Sequence, residues 1–189
     1  MGISFSIDNN NSKMLNNESG ETEYNKLNEN ALFMEKIGTF DYDGIFALVK
    51  RNVKEVIKKE RSGLGLILSD LPNTLGAYWE VSGNYIVMNQ NLIYGLKQMG
   101  ISDVEIKSYI YSILEHEYLH SLGYINEIED RRMTAYVASM SFDKNHPVYK
   151  ISTSDPWKLY PFLLRIPGGN GTTFKIVRNF DKESTSYIM

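Results

Sequence analysis

Between Tyr42 and Arg61 the apolar positions Ile45, Phe46, Leu48, Val49, Val53, Val56 and Ile57 recur mostly three and four residues apart. That spacing predicts an amphipathic helix, with Lys50, Arg51, Lys54, Lys58 and Lys59 on a solvated opposite face. Ser62-Gly63 is expected to end it. The next run, residues 64–71 (LGLILSDL), is short and nearly continuously apolar, as a buried strand requires. Pro72-Asn73 reads as a turn. Residues 77–81 and 85–89 are β-prone and flank Ser82-Gly83-Asn84, which predicts a hairpin. Residues 91–99 suggest a short helix closed by Gly100.

A longer helix follows, over about residues 103–122. Ser102 with Glu105 has the spacing of a capping box, and Asp103 adds negative charge to the first turn. Val104, Tyr109, Ile110, Ile113 and Leu114 repeat at helical spacing, and Gly123 stands where a left-handed C-terminal residue is wanted. Asn126 and Glu129 repeat the capping spacing and open a second helix to about Phe142, with Ile128, Met133, Tyr136, Val137 and Met140 as its stripe. Residues 143–147 read as a loop. Residues 155–162, with Asp155-Pro156-Trp157 and Tyr160-Pro161-Phe162, suggest an irregular segment anchored by aromatic rings. Gly168–Gly171 is a turn before a strand-like stretch at 172–177, and residues 181–189 are expected to fray.

The first 30 residues differ in kind. Their Asn, Ser, Glu and Lys content offers too little apolar surface to offset the entropy of ordering. Residues 1–30 are therefore expected to form a disordered tail and residues 31–189 a single domain. The chain has 189 residues and a formal net charge of −3, which favours neither nucleic acid nor a charged membrane as partner. No apolar run approaches the ~20 residues that span a bilayer. Residues 1–12 have no basic n-region or apolar core, and cysteine is absent. A cytoplasmic location is expected. Without thiolates, a transition metal would have to be held by Asp, Glu or one of three histidines, His116, His120 and His146.

Two of those histidines fall in His116-Glu117-Tyr118-Leu119-His120, inside the long helix. Residues four apart share a helix face, so both imidazoles can reach one metal ion, and Glu117 can reach a water on it. This is the residue set of a zinc hydrolase, with Glu117 as general base.

Helix, strand, edge hairpin and then an H-E-x-x-H helix is also the order of elements in the zincin metallopeptidases, which the chain resembles over roughly residues 45–125. His116–His120 matches their motif, and Ser121-Leu122-Gly123-Tyr124 resembles its continuation. The chain is similar, too, to small archaeal zincin-like proteins in which a His-Pro pair follows at a distance like that of His146-Pro147. The resemblance implies an α+β, zincin-like fold: a small mixed sheet with an edge hairpin, packed on a backing helix and an active-site helix. It implies Zn²⁺ as cofactor and a peptide or unfolded protein as substrate. The peptide bond would be hydrolysed by a zinc-activated water, with Glu117 as base and residues 77–81 aligning the substrate by strand addition.

The third ligand stays open. Asn126 occupies the position where metzincins carry their third histidine. His146 is preferred, because imidazole suits zinc and few histidines are unused. Glu127 comes next and then Glu129, although carboxylates in a first helical turn also serve the helix dipole. The geometry asks much of His146, because a 15-residue helix travels ~22 Å before the loop turns back. Tyr124 and Tyr136 are candidate oxyanion donors, and Trp79 and Trp157 candidate pocket walls. The alternative function is a catalytically silent, zincin-like binding or regulatory module with a structural metal.

Overall fold

The computed structural model describes residues 9–181. In chain order the elements are α1 (Asn9–Lys36), α2 (Tyr42–Ile57), β1 (Gly65–Ser69), β2 (Ala77–Trp79), β3 (Tyr85–Asn89), α3 (Gln90–Gln98), α4 (Asp103–Ser121), α5 (Glu127–Ser141), α6 (Pro147–Ser152) and α7 (Pro156–Leu159). A 3-10 turn at Pro161–Arg165 and strand β4 (Phe174–Ile176) follow. The fold is mixed α+β, with an open sheet of four strands in the order β2-β3-β1-β4. β1 and β3 are parallel, and the edge strands β2 and β4 run antiparallel to their neighbours. Among the described residues no helix is long and apolar enough to cross a membrane.

α4 is the helix around which the rest packs. Twelve of its nineteen residues are buried, which makes it a central helix rather than a surface one. Ser102 Oγ accepts from Glu105 N at 3.3 Å, and the Ser102 hydroxyl donates to the Glu105 carboxylate at 3.1 Å. Ser102 thus caps the start of the helix, and Glu105 binds the capping hydroxyl rather than closing the expected box on the Ser102 N–H. Burial on nearly every side has a cost in polar side chains, met locally: Ser108 and Ser112 donate to the carbonyls four residues back. Leu66, Leu68, Ile86 and Met88 on the inner face of the sheet join Ile106, Ile110 and Leu114 of α4 in one core with α2 and α3.

Three elements depart from what the sequence pattern suggests. α2 stops at Ile57 rather than near Arg61, with Lys58 left-handed at φ 58°. The cause is tertiary: Arg61 N donates to the Tyr118 hydroxyl at 2.7 Å, and that hydroxyl donates back to Arg61 O. The chain must leave the helix early to make that crossing. The expected loop at 143–147 ends in α6, because Pro147 takes the first helical position, where its missing N–H costs nothing.

The third departure is α1, since the expected tail is helical from Asn9 onward. Its last turns are docked on the core. Met34 is fully buried, and Asn30 is buried with Nδ2 donating to Ser141 O (2.8 Å) and Asn52 Oδ1 (3.3 Å). Arg51 donates to Asn30 Oδ1 at 2.6 Å, and Lys107 Nζ caps the carbonyls of Glu35 and Ile37. Residues 1–8 of the expected tail and 182–189 of the expected fraying end lie outside the described residues. Asp181 itself is anchored, paired with Lys50 at 2.5 Å and accepting from the N–H groups of Gly63 and Leu64.

The docking of α1 is open to test. Asn30→Ala leaves Ser141 O and the Arg51 guanidinium without their partner, and should lower unfolding free energy by about 1–3 kcal/mol in urea titration.

Candidate functional site

The end of α4 is a Schellman turn: Tyr124 N donates to Leu119 O (3.2 Å) and Gly123 N to His120 O (3.0 Å). Gly123 takes φ +102°, and a Cβ there would meet nothing within 4 Å, so backbone conformation alone asks for glycine. The turn has two effects on the site. It points the Tyr124 carbonyl at His120 Nδ1, 2.7 Å away, and it brings Asn126 directly into the cap of α5. Asn126 Oδ1 accepts from Ile128 N and Glu129 N. The residue at the metzincin histidine position is therefore a helix cap.

Because α5 starts so soon, its first turn faces the last turns of α4. Glu127 Oε1 lies 3.2 Å from His120 Nε2, and Glu127 Oε2 lies 3.6 Å from His116 Nε2. One turn further, Asp130 is wholly buried, with Oδ2 2.6 Å from His116 Nδ1. Thr134 Oγ1 donates to Asp130 O at 3.0 Å and reaches Oδ2 at 3.4 Å.

His120 Nδ1 faces a carbonyl and His116 Nδ1 a carboxylate, so each ring donates from Nδ1 and, when neutral, turns an Nε2 lone pair towards Glu127. His116, His120 and Glu127 thus form a set able to hold a metal ion. The 3.2 and 3.6 Å spacings run to different oxygens of Glu127, and one ligand atom from each residue lies within 4.8 Å of the others, a donor set that fits a metal ion.

The cluster opens into a cleft of about 510 Å³. One wall is the edge strand β2 with Gly76 before it, the floor is α4, and the far wall is residues 151–157. Glu117 lines the cleft beside both histidines and is only 4 % exposed. Burial pushes its carboxyl up to about 7, the two imidazoles hold it down, and Asp130 and Glu127 add to the rise. At His116, burial pulls the pKa down, but the bond to Asp130, its charge, and the nearby Glu117 and Glu127 outweigh it and leave a net rise. Behind the far wall Glu115 is fully buried, accepting from Tyr111 and Ser152, and burial drives its carboxyl well above the usual range.

The candidate residues are thus brought together in part. His116, Glu117 and His120 share the cleft, and Glu127 joins them. His146 does not. It caps α6, with Nδ1 accepting from Val148 N at 3.2 Å and its ring stacked on Phe142 at 4.7 Å. α5 carries the chain away from the cluster, and Pro147 starts the next helix before it can return. Glu129 is exposed on the outer side of α5. Trp79 and Trp157 line the cleft, whereas Tyr124 turns its ring to Lys59 and Tyr136 is half exposed. Asp130 was not singled out by sequence pattern. Its signal was the three-residue spacing from Glu127, which puts both carboxylates on one face of α5.

Compared with protein-family models, curated proteins and solved structures, the chain matches none of them.

His146 supplies a prediction of its own. Burial lowers its pKa to about 4, against about 6.5 in an unfolded chain. Between those values the unfolded state binds the extra proton, so this contribution to stability is complete above pH 6.5 and is lost as pH falls towards 4. His146→Asn keeps a capping side chain without the titration. The stability of the natural protein relative to this variant should fall between pH 7 and pH 4.5 in denaturant titrations.

Proposed function

We propose that this chain is a zinc-dependent metallopeptidase of the zincin type, with His116, His120 and Glu127 as metal ligands and Glu117 as general base. The observation that carries this reading is the convergence of two imidazole nitrogens and a carboxylate beside a buried glutamate in an open cleft. With both rings neutral, such a set leaves acceptors facing one another, which a metal cation relieves, and two imidazoles with one carboxylate suit zinc. When bound, the ion supplies Lewis acidity to a water and to a carbonyl oxygen.

The chain's own residues supply the rest. Asp130 and the Tyr124 carbonyl hold the imidazoles in the tautomer that leaves Nε2 free, the usual office of partners behind a metal ligand. Glu117, with its pKa raised to about 7, is poised to take a proton from the attacking water at Oε and deliver it to the amide nitrogen as the C–N bond breaks. β2 lies at the edge of the sheet, so its outward N–H and C=O groups can bind a substrate backbone as an added strand. That mode reads backbone rather than side chains, and suits an extended or unfolded substrate.

Elemental analysis of purified protein should find about one zinc per chain, lost in His116→Ala and His120→Ala, weakened in Glu127→Ala and retained in His146→Ala. Asp130→Asn should weaken zinc binding by roughly 10–100-fold in chelator competition. Glu117→Gln should keep the metal while losing about 10²–10⁴-fold in cleavage of an unstructured protein. Protein that binds no zinc sinks the reading. Zinc bound without any peptidase activity would favour the silent module with a structural metal.

A further inference from the structure

On α4, Ser112, Ile113 and His116 lie three, four and seven residues after Tyr109, so they share the face that forms the floor of the cleft. Tyr109 is one of the residues that line it. The residue is 1 % exposed, yet its hydroxyl has no hydrogen-bond partner among the described residues. A buried hydroxyl without a partner is unfavourable, and one that borders a cleft can be satisfied by whatever enters it. Opposite it stands Gly76, where a Cβ would lie 2.8 Å from Ile113 Cδ1 and 3.7 Å from the Tyr109 oxygen. Glycine there keeps the recess open.

The neighbouring hydroxyls have the opposite character. Ser112 is placed to donate to Ser108 O at 2.9 Å and shares a 2.8 Å hydrogen bond with Ser152 Oγ in which either hydroxyl can donate, and Ser152 also reaches the Glu115 carboxylate at 3.4 Å. With their protons engaged in these bonds, both cleft-lining serines are acceptors, whereas Tyr109 has a proton to give. Asp155 also lines this wall, with Oδ1 accepting from Trp157 N, whereas Glu115 is buried away from the cleft. An acidic side chain entering here would be repelled by Asp155. A carboxamide matches the wall, since its oxygen accepts from Tyr109 and its NH₂ donates to the serine oxygens.

We propose that Tyr109 is a specificity-determining residue, and that this recess selects peptides carrying glutamine or asparagine close to the scissile bond. The inference rests on the peptidase reading and deepens it.

The test uses zinc-loaded full-length protein, a randomised octapeptide mixture and sequencing of the products. One position near the cleaved bond should favour glutamine or asparagine over methionine and leucine by about three- to tenfold, the worth of a neutral hydrogen bond. In Tyr109→Phe that ratio should fall to near one, and kcat/KM for single peptides differing only in Gln or Met should show the same collapse. The variant should unfold at or above the temperature of the natural protein, because the hydroxyl has no partner in the fold to lose. An amide preference that is absent, or unmoved by Tyr109→Phe, overturns the inference and leaves the peptidase reading standing. A lowered unfolding temperature shows the hydroxyl bonded within the fold and also overturns the inference. Failure of the zinc-loaded protein to cut any peptide overturns both.

Discussion

The 2.6 Å bond between His116 Nδ1 and the buried Asp130 carboxylate ties the last turns of α4 to the first turns of α5. The rest of the site follows from that tie. It fixes the tautomer of His116, sets the rotation of α5 about its own axis, and so places Glu127 over the same point as both imidazoles. The bond is possible because the connection between the helices is very short, and the connection is short because Gly123 accepts a left-handed conformation. A slower turn would carry Glu127 out of reach without disturbing either helix.

Beneath this lies a second constraint, the burial of α4 on nearly all sides. A central helix holds its side chains with little freedom, which suits a group of ligands that must keep their positions. It also forces polar residues into the interior. The chain from Asn52 through Tyr111 and Glu115 to Ser152 and Ser112 is a connected answer to that problem, each group satisfied by the next. Tyr109, on the same helix, is the place where the accounting stays open.

What could be read from the sequence was what local chemistry decides. The start of α4 follows from Ser102 and Glu105, its end from Gly123, the start of α5 from Asn126, and the hairpin from two β-prone runs around a polar turn. What could not be read depends on residues far apart. α1 docks through Asn30 onto Ser141, 111 positions away, and no local feature of a polar segment reports that. The end of α2 is decided by Tyr118, 57 positions after Arg61. The third member of the cluster turned on the same point: residue type favoured His146, whereas the turn at Gly123 had already set Glu127 in place. Tyr109 read as one more apolar position in a helical stripe, since its unpartnered hydroxyl exists only in the folded cleft.

The anchoring of Asp181 bears on the order in which the molecule can assemble. Lys50 sits in α2, close to the core, and its countercharge is 131 positions later, alongside β4, whose pairing with β1 spans a similar stretch of chain. As the polypeptide emerges during synthesis, the helices and the hairpin are made first, while Lys50 is still an uncompensated cation and the outer edge of β1 is bare. Closure of the sheet and neutralisation of that charge wait on the same stretch of chain, and a nascent chain halted before residue 174 exposes both a strand edge and an uncompensated charge.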